Sequence, residues 1–381
     1  MMRIMYISGT RADFGKVKSL IKSSAECGNE VYIVATGMHM FQKYGFTFNE
    51  VSKLGIGEVF GFFNSNSGDT QDVVLAKSIQ GISDLCKDIR PDYIVVHGDR
   101  LEALAGAIVG NFNKIRVIHV EGGEVSGTVD EILRHSISKL SHIHLVANEK
   151  AKSRLLQLGE YEQSIFIIGS PEVDTLASNK LPHLEDVKSR YDIKFDQFCI
   201  FIFHPVFYEI ENLPRDIAIL AQFLQTSPEN WVVIMPNNDP GSEAIIKEYE
   251  RFKNSPNVRL LASMRFEYFV SLLKESKLVM GNSSVGVREA PFFGIPSINI
   301  GSRQRGRSQA PSIQNIDDDL DSLSATVNKS LSQERRPSNY FGNGGSENEF
   351  KKLLISGKLS HISIEKNFVD TIQTKIDENK V

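Results

Sequence analysis

Residues 93–120 read YIVVHGDRLEALAGAIVGNFNKIRVIHV, and this stretch holds one complete unit of the fold. Tyr93–Val96 is a short, unbroken run of aromatic and β-branched residues, the pattern of a strand covered on both faces. Leu101–Asn111 is rich in leucine and alanine and long enough for three helical turns, and Val117–Val120 is a second apolar run. A helix between two such runs is the crossover that joins parallel strands, and such crossovers are right-handed. The same alternation extends outward on both sides. Ile4–Ser8 and Val31–Ala35 precede it as strands, and His144–Val146 and Ile165–Ile168 follow. Helices are expected over Gly15–Ala25, Asp72–Ile89, Asp130–Leu140 and Lys150–Leu158.

Gly169-Ser170-Pro171 breaks the pattern. After a polar, helix-like stretch the alternation restarts with strands at Phe198–Phe203, Trp231–Met235, Val258–Leu261, Lys277–Met280 and Ser297–Ile300. Helices lie between them at Ile217–Thr226, Ser242–Lys253 and Phe266–Glu275. The expected architecture is therefore α/β, with two Rossmann-like doubly wound domains facing each other across a cleft. The first spans 1–172 and the second 173–363, with a final helix over 364–381. A chain of 381 residues is too long for one typical core and fits this division.

Composition sets the outer limits. Hydrophobic residues make up 41% and charged residues 24%, ordinary for a globular protein, and the formal net charge is −4. Such a balance gives no global attraction for nucleic acid or an anionic membrane, so neither is expected as a partner. Cys27, Cys86 and Cys199 are widely spaced and form no C-x-x-C pair, which argues against a disulfide framework or a zinc site. No apolar stretch approaches about 18 residues and no signal-peptide pattern opens the chain, so a cytoplasmic location is expected.

In a doubly wound sheet, ligands collect beyond the carboxyl ends of the strands. The first strand ends in Gly9-Thr10-Arg11, where a helix N-terminus and Arg11 suit a pyrophosphate, although an ordinary turn with a solvent-facing arginine reads the same way. Strand Tyr93–Val96 leads to Asp99, strand Val117–Val120 leads to Glu121, and Asp130 opens the next helix. Three carboxylates near one sheet edge hold each other's pKa values apart and stabilise a cationic sugar. Taken singly, Asp130 also reads as a helix cap and Asp99 as a turn residue. His135, His142 and His144 match no zinc spacing, so no metal is expected. His204 follows a second-half strand and is placed to donate to a phosphate or a sugar hydroxyl. In Gly281-Asn282-Ser283-Ser284-Val285-Gly286, small hydroxyl-bearing residues join a strand to a helix start, the arrangement of a phosphate loop, and Glu289 in that helix suits a ribose. Arg303, Arg305 and Arg307 add positive charge downstream, with a flexible basic loop as the plainer reading. There is neither a Walker A loop nor a G-x-G-x-x-G fingerprint, so ATP and NAD have no support.

Together these segments carry a family resemblance. GTRADFGK (Gly9–Lys16), TGMHM (Thr36–Met40), HGDRLEALAGA (His97–Ala107), HVEGGEVSGTVDE (His119–Glu131), RHSISKLSHIHLVANE (Arg134–Glu149), FHP (Phe203–Pro205), PNND (Pro236–Asp239) and GNSSVGVREAP (Gly281–Pro291) occur in that order. The set resembles the hydrolysing UDP-N-acetylglucosamine 2-epimerases of sialic acid biosynthesis, from the first strand to about residue 310. The resemblance implies a GT-B-like fold, with the final helix crossing back to the first domain. It implies Asp99, Glu121 and Asp130 as catalytic carboxylates, His204 as the cleft histidine and Arg11 near the diphosphate. It implies Asn282, Ser283, Ser284 and Glu289 as the UDP-binding segment. Non-hydrolysing relatives carry Gly-Thr-Arg-Pro-Glu near the start, where this chain has Gly9-Thr10-Arg11-Ala12-Asp13.

The implied reaction needs no cofactor. Loss of UDP gives an oxocarbenium-like centre that acidifies C2–H, 2-acetamidoglucal forms, and water adds back. A UDP-sugar is the expected substrate and self-association into a homo-oligomer is expected. Three alternatives stay open: a GT-B glycosyltransferase, a non-catalytic UDP-sugar sensor, and the same reaction on the 2,4-diacetamido-6-deoxy sugar of legionaminic acid synthesis. The polar stretch Gly61–Thr70 is expected to bear on sugar choice or cleft closure.

Overall fold

A computed structural model describes the chain except for residues 67, 127–128, 207–208, 238, 317–319 and 370–381. The first half builds a sheet from β1 (Arg3–Ser8), β2 (Glu30–Ala35), β3 (Glu58–Gly61), β4 (Tyr93–His97), β5 (Arg116–Val120), β6 (Ile143–Val146) and β7 (Ile165–Ile167). The second half builds one from β8 (Cys199–Ile202), β9 (Trp231–Ile234), β10 (Val258–Leu261), β11 (Val279–Gly281), β12 (Ser297–Ile300) and β13 (Ile313–Ile316). All pairings are parallel, in the orders β3-β2-β1-β4-β5-β6-β7 and β10-β9-β8-β11-β12-β13. Both halves thus follow the doubly wound order that reverses direction beside its first strand, between β1 and β4 in one and between β8 and β11 in the other. A crevice opens beyond the strand ends at each reversal.

The central strands are buried along their length, as their unbroken apolar runs require. The Leu101–Phe112 helix lies close on the first sheet because Gly106 and Gly110 present no side chain there. A Cβ on Gly110 would fall 2.3 Å from Val117 Cγ2. Two strands escape the sequence pattern, β3 and β13. Both are sheet edges, four residues long and largely part-exposed, so neither carries a continuous apolar run.

The C-terminal expectation needs correction. The helix that returns to the first half is Ser346–Ser356, whose Phe350 and Leu354 pack in one core with Ile4, Leu20 and Ile33. Residues 364–369 are not helical; they run along the first half, where Ile364 O accepts from His142 Nε2 at 3.0 Å and Lys366 Nζ bonds Glu160 Oε2 at 2.5 Å. The rest of the helix expected over 364–381 lies outside the described residues. Among the described residues no helix is long and apolar enough to cross a membrane.

Candidate active site

A cavity of about 330 Å³ sits where the two sheets' carboxyl ends face each other. Of the sequence-derived candidates, Arg11, Asp99, Glu121, Asp130, His204, Ser283, Ser284 and Glu289 line it. Asn282 does not. It is 1% exposed, and its Oδ1 accepts from His204 N at 2.7 Å while its Nδ2 donates to His204 O at 2.8 Å. Asn282 therefore clamps the backbone that carries His204. Gly281 makes this possible: with φ +132 its α-carbon lies so close to Ile202 O that a Cβ would fall 1.9 Å from it.

The first-half wall is acidic and its three carboxylates differ in environment. Asp99 ion-pairs with buried Arg134. Burial alone would raise its pKa, but Arg134, Arg307 and Arg303 outweigh that and hold it well below the usual carboxylate range. Glu121 is 3% exposed and stands in left-handed backbone, φ +67, a conformation that costs a non-glycine residue roughly 1 kcal/mol. Its Oε1 accepts from Arg288 Nη2 at 2.5 Å and from Ser170 Oγ at 2.6 Å. His97 Nε2 lies 3.3 Å from its Oε2 without a formed hydrogen bond. Burial again pushes upward, and Arg288, His97 and Lys16 reverse it, so Glu121 stays ionised far below neutral pH. Asp130 goes the other way. Burial and the neighbouring Asp99 charge raise its pKa, and Arg303 at 3.5 Å only partly offsets them.

His204 Nδ1 accepts from Asn237 N at 3.1 Å, which leaves the ring proton on Nε2. Burial, with Arg303 and Arg100 nearby, holds its pKa well below the ordinary histidine value, so the ring is a neutral donor. The neighbouring motif residue Asn238 lies outside the described residues.

Two helix ends differ from expectation. The first helix starts at Arg11, earlier than Gly15, and Asp13 closes it: its carboxylate accepts from Gly9 N, Thr10 N and Phe14 N in a capping box with Thr10. The N–H groups of Gly9 and Thr10, just before the helix, are thus committed to Asp13, and Asp13 N is committed to Thr10 Oγ1. Arg11 itself donates to Glu50 Oε1 at 2.8 Å and Ser263 Oγ at 2.7 Å while lining the cavity. After β11 a 3₁₀ turn at Ser284–Gly286 leads to a helix of only four residues, Glu289–Phe292. So short a helix has little dipole, and the hydroxyl donors and positive charge at this end of the cavity belong to Ser283, Ser284, Arg303 and Arg307.

The second-half wall supplies that charge. Arg303 Nη1 donates to Asn282 O at 3.3 Å and Arg307 pairs with Glu124 at 3.1 Å; both line the cavity. Only Arg305 is exposed, so the segment is not the free basic loop that its sequence suggests. Glu289 is 2% exposed, faces Lys16 at 3.4 Å, and leaves a buried Oε2 without a hydrogen-bond partner. Burial, reinforced by Glu172, raises its pKa. Lys16, Arg100 and Arg288 were not singled out in the sequence, where each is one more charged residue beside a turn. No described residue of 61–70 lines the cavity; Asn64 anchors that stretch by donating to Glu102 Oε1 at 3.1 Å. His142 and His144 are structural, the first bridging Val117 N and Ile364 O, the second bonded to Glu160 at 2.9 Å. Among the described residues no cluster of three or more His, Cys, Asp or Glu is arranged to hold a metal ion.

The family model described as UDP-N-acetylglucosamine 2-epimerase matches residues 22–355. This chain belongs to the UDP-N-acetylglucosamine 2-epimerase family. Within it, the UDP-N-acetylglucosamine 2-epimerase of Neisseria meningitidis serogroup B is 42% identical, over 97% of this chain and 99% of that one. The hydrolysing UDP-N,N'-diacetylbacillosamine 2-epimerase of Legionella pneumophila is 32% identical, over 92% and 95%. The solved UDP-N-acetylglucosamine 2-epimerase of Methanocaldococcus jannaschii superposes with a TM-score of 0.79 at 23% identity, covering 93% of this chain and 100% of that one, and so shares the GT-B-like fold. In this family member Asp99, Glu121 and Asp130 stand on the first-half wall of the cavity, and Ser283, Ser284, Arg303 and Arg307 stand on the second.

Proposed function

We propose that this family member is a hydrolysing 2-epimerase, converting UDP-N-acetylglucosamine and water to UDP and N-acetylmannosamine for sialic acid biosynthesis. The observation that carries the reading is three acids gathered on one wall of a single cavity in unlike surroundings: Glu121 and Asp99 paired with buried arginines, which lower their pKa, and Asp130 buried beside Asp99, which raises its pKa. A C2–H beside no carbonyl is not acidic. Cleaving C1–O first, with the electron pair leaving on UDP, creates a cation beside C2. An ionised carboxylate stabilises that cation and takes the C2 proton, giving 2-acetamidoglucal. Water then adds hydroxyl to C1, giving up its other proton to a carboxylate, while a proton-bearing acid returns hydrogen to C2 on the opposite face. We assign Asp130 to proton donation, Glu121 and Asp99 to the cation and the C2 proton, and His204 Nε2–H to an oxygen of the substrate. Ser283, Ser284, Arg303 and Arg307 face the diphosphate, and Glu289 faces the ribose.

The names of relatives lend support. The Legionella relative is a hydrolysing epimerase, and an Escherichia coli relative, 30% identical over 88% of this chain, is a polysialic acid biosynthesis protein. The Legionella name also favours a second reading, the same chemistry on a UDP-diacetamido sugar. Chromatography of the products tests both. UDP equal to free N-acetylmannosamine is expected from UDP-N-acetylglucosamine; UDP-N-acetylmannosamine with UDP still attached, or transfer to an added acceptor, would overturn the reading. Glu121→Gln is expected to abolish turnover while UDP still binds.

A further inference from the structure

Arg288 is a buried charge with three carboxylate partners that the reaction scheme does not use. It is fully buried and belongs to the second half, on the segment between β11 and β12. Its guanidinium nevertheless reaches into the first half, pairing with Glu121 at 2.5 Å and with Glu124. Its Nε binds Glu172 at 2.6 Å, on the short helix that follows the Gly169-Ser170-Pro171 break, and its Nη2 binds Ser170 Oγ at 2.9 Å. The Phe341 ring lies against the guanidinium at 4.3 Å. A planar fork meeting three separate carboxylates is a costly arrangement in a buried site, since each ion must be stripped of water. It persists with both edges of the fork and one face filled.

What this does to Glu121 is specific. Oε1 is consumed by two donors, Arg288 and Ser170, which fixes the carboxylate in rotation. Oε2 is left on the side of His97, and both residues line the cavity. One oxygen is an anchor and the other is available for chemistry. We propose that Arg288 is a positioning residue for Glu121: the second half reaches across to fix and aim this carboxylate, so that the acid of one half is complete only with the arginine of the other. The inference rests on the reading of Glu121 as a reacting group. The charged groups facing Glu121 are Arg288 from the second half, His97 at the end of β4, Lys16 from the first helix and Glu172 on the helix after the break; Glu124 shares Arg288 with it. Arg288 is the largest favourable one, ahead of His97 and Lys16.

The test is Arg288→Lys, which keeps a cation but loses the fork, beside Ser170→Ala, which removes only the second donor to Oε1. Both are measured for kcat and KM across pH, for UDP affinity, and for the carboxyl carbon resonance of Glu121 by NMR, assigned by its loss in Glu121→Gln. In the wild type that resonance is expected not to titrate while the protein stays folded. In Arg288→Lys its midpoint is expected to move up into the accessible range, with kcat down about 100-fold, as a misaimed group costs. The acidic limb of the rate profile should move up with it, and UDP affinity should hold. Ser170→Ala should show the same changes in smaller measure. An unmoved Glu121 titration in both variants overturns the proposal, as does an unmoved rate profile in variants that merely melt earlier. The NMR titration decides even without turnover, so a failure of the proposed reaction, seen as inert wild-type enzyme, stays distinct from a failure of this inference.

Discussion

Asn282→Ala separates a scaffold role from a ligand role in the loop after β11. The wild-type amide makes two buried bonds to the backbone of His204, at 2.7 and 2.8 Å. Each contributes about 1 kcal/mol net, and leaving both His204 groups unpaired brings the total to about 3 kcal/mol. In a unit of 150–250 residues each kcal/mol moves Tm by about 2–4 °C, so the variant should melt roughly 6–12 °C lower. The same backbone aims the His204 ring, and a misplacement near 1 Å costs about 100-fold in rate. UDP affinity should barely change, because the amide faces away from the cavity. Differential scanning calorimetry, initial rates and titration calorimetry with UDP read the three quantities separately. A loss of UDP affinity of about tenfold or more, worth about 1.4 kcal/mol, with Tm unmoved, would show Asn282 to be a nucleotide ligand and refute the clamp.

Two further predictions concern pH. Burial and Asp99 raise the folded pKa of Asp130 above its unfolded value, so its contribution to stability is complete at low pH and is lost as pH rises through the folded pKa. Asp130→Asn, isosteric and neutral, should therefore raise Tm at pH 7, leave it unchanged near pH 3, and abolish turnover; equal Tm values at pH 7 would contradict this. His142 behaves oppositely. Burial, with Lys366 nearby, pushes its pKa down to about 4, so the stability that depends on its neutral ring is present above the ordinary value of 6.5 and is lost as pH falls toward 4. Protonation puts a hydrogen on Nδ1, which then no longer accepts from Val117 N, while Nε2–H still donates to Ile364 O. Hydrogen exchange of the Val117 amide should quicken between pH 6.5 and 4, after correction for intrinsic rates, and constant protection would contradict this.

Much of this was legible in the sequence, and what escaped did so for physical reasons. The buried strands announced themselves because a strand covered on both faces must be apolar throughout, whereas the edge strands Glu58–Gly61 and Ile313–Ile316 mix polar and apolar residues. The acids Asp99 and Glu121 were legible because they follow strand ends, and Asp130 because it stands at the next helix start, where the doubly wound topology places ligands. Asp13 carried a visible signal, the Thr-x-x-Asp spacing from Thr10, which marks a closed helix start. Arg288 carried none. Its partners Glu121, Glu124, Ser170 and Glu172 lie more than 100 residues away, and only the packing of the two halves brings them to it. Asn282's contact with the backbone of His204 escaped for a related reason: a polar residue in a phosphate-type loop looks the same in sequence whether it faces the ligand or the protein's own backbone.

The central claim is that C1–O cleavage to UDP makes C2–H removable and that solvent supplies its replacement. Incubating the protein with UDP-N-acetylglucosamine in D2O and following the sugar by ¹H NMR tests this directly. The account predicts UDP together with N-acetylmannosamine carrying deuterium at C2. N-acetylmannosamine with protium retained at C2, or deuterated sugar still joined to UDP, would contradict it.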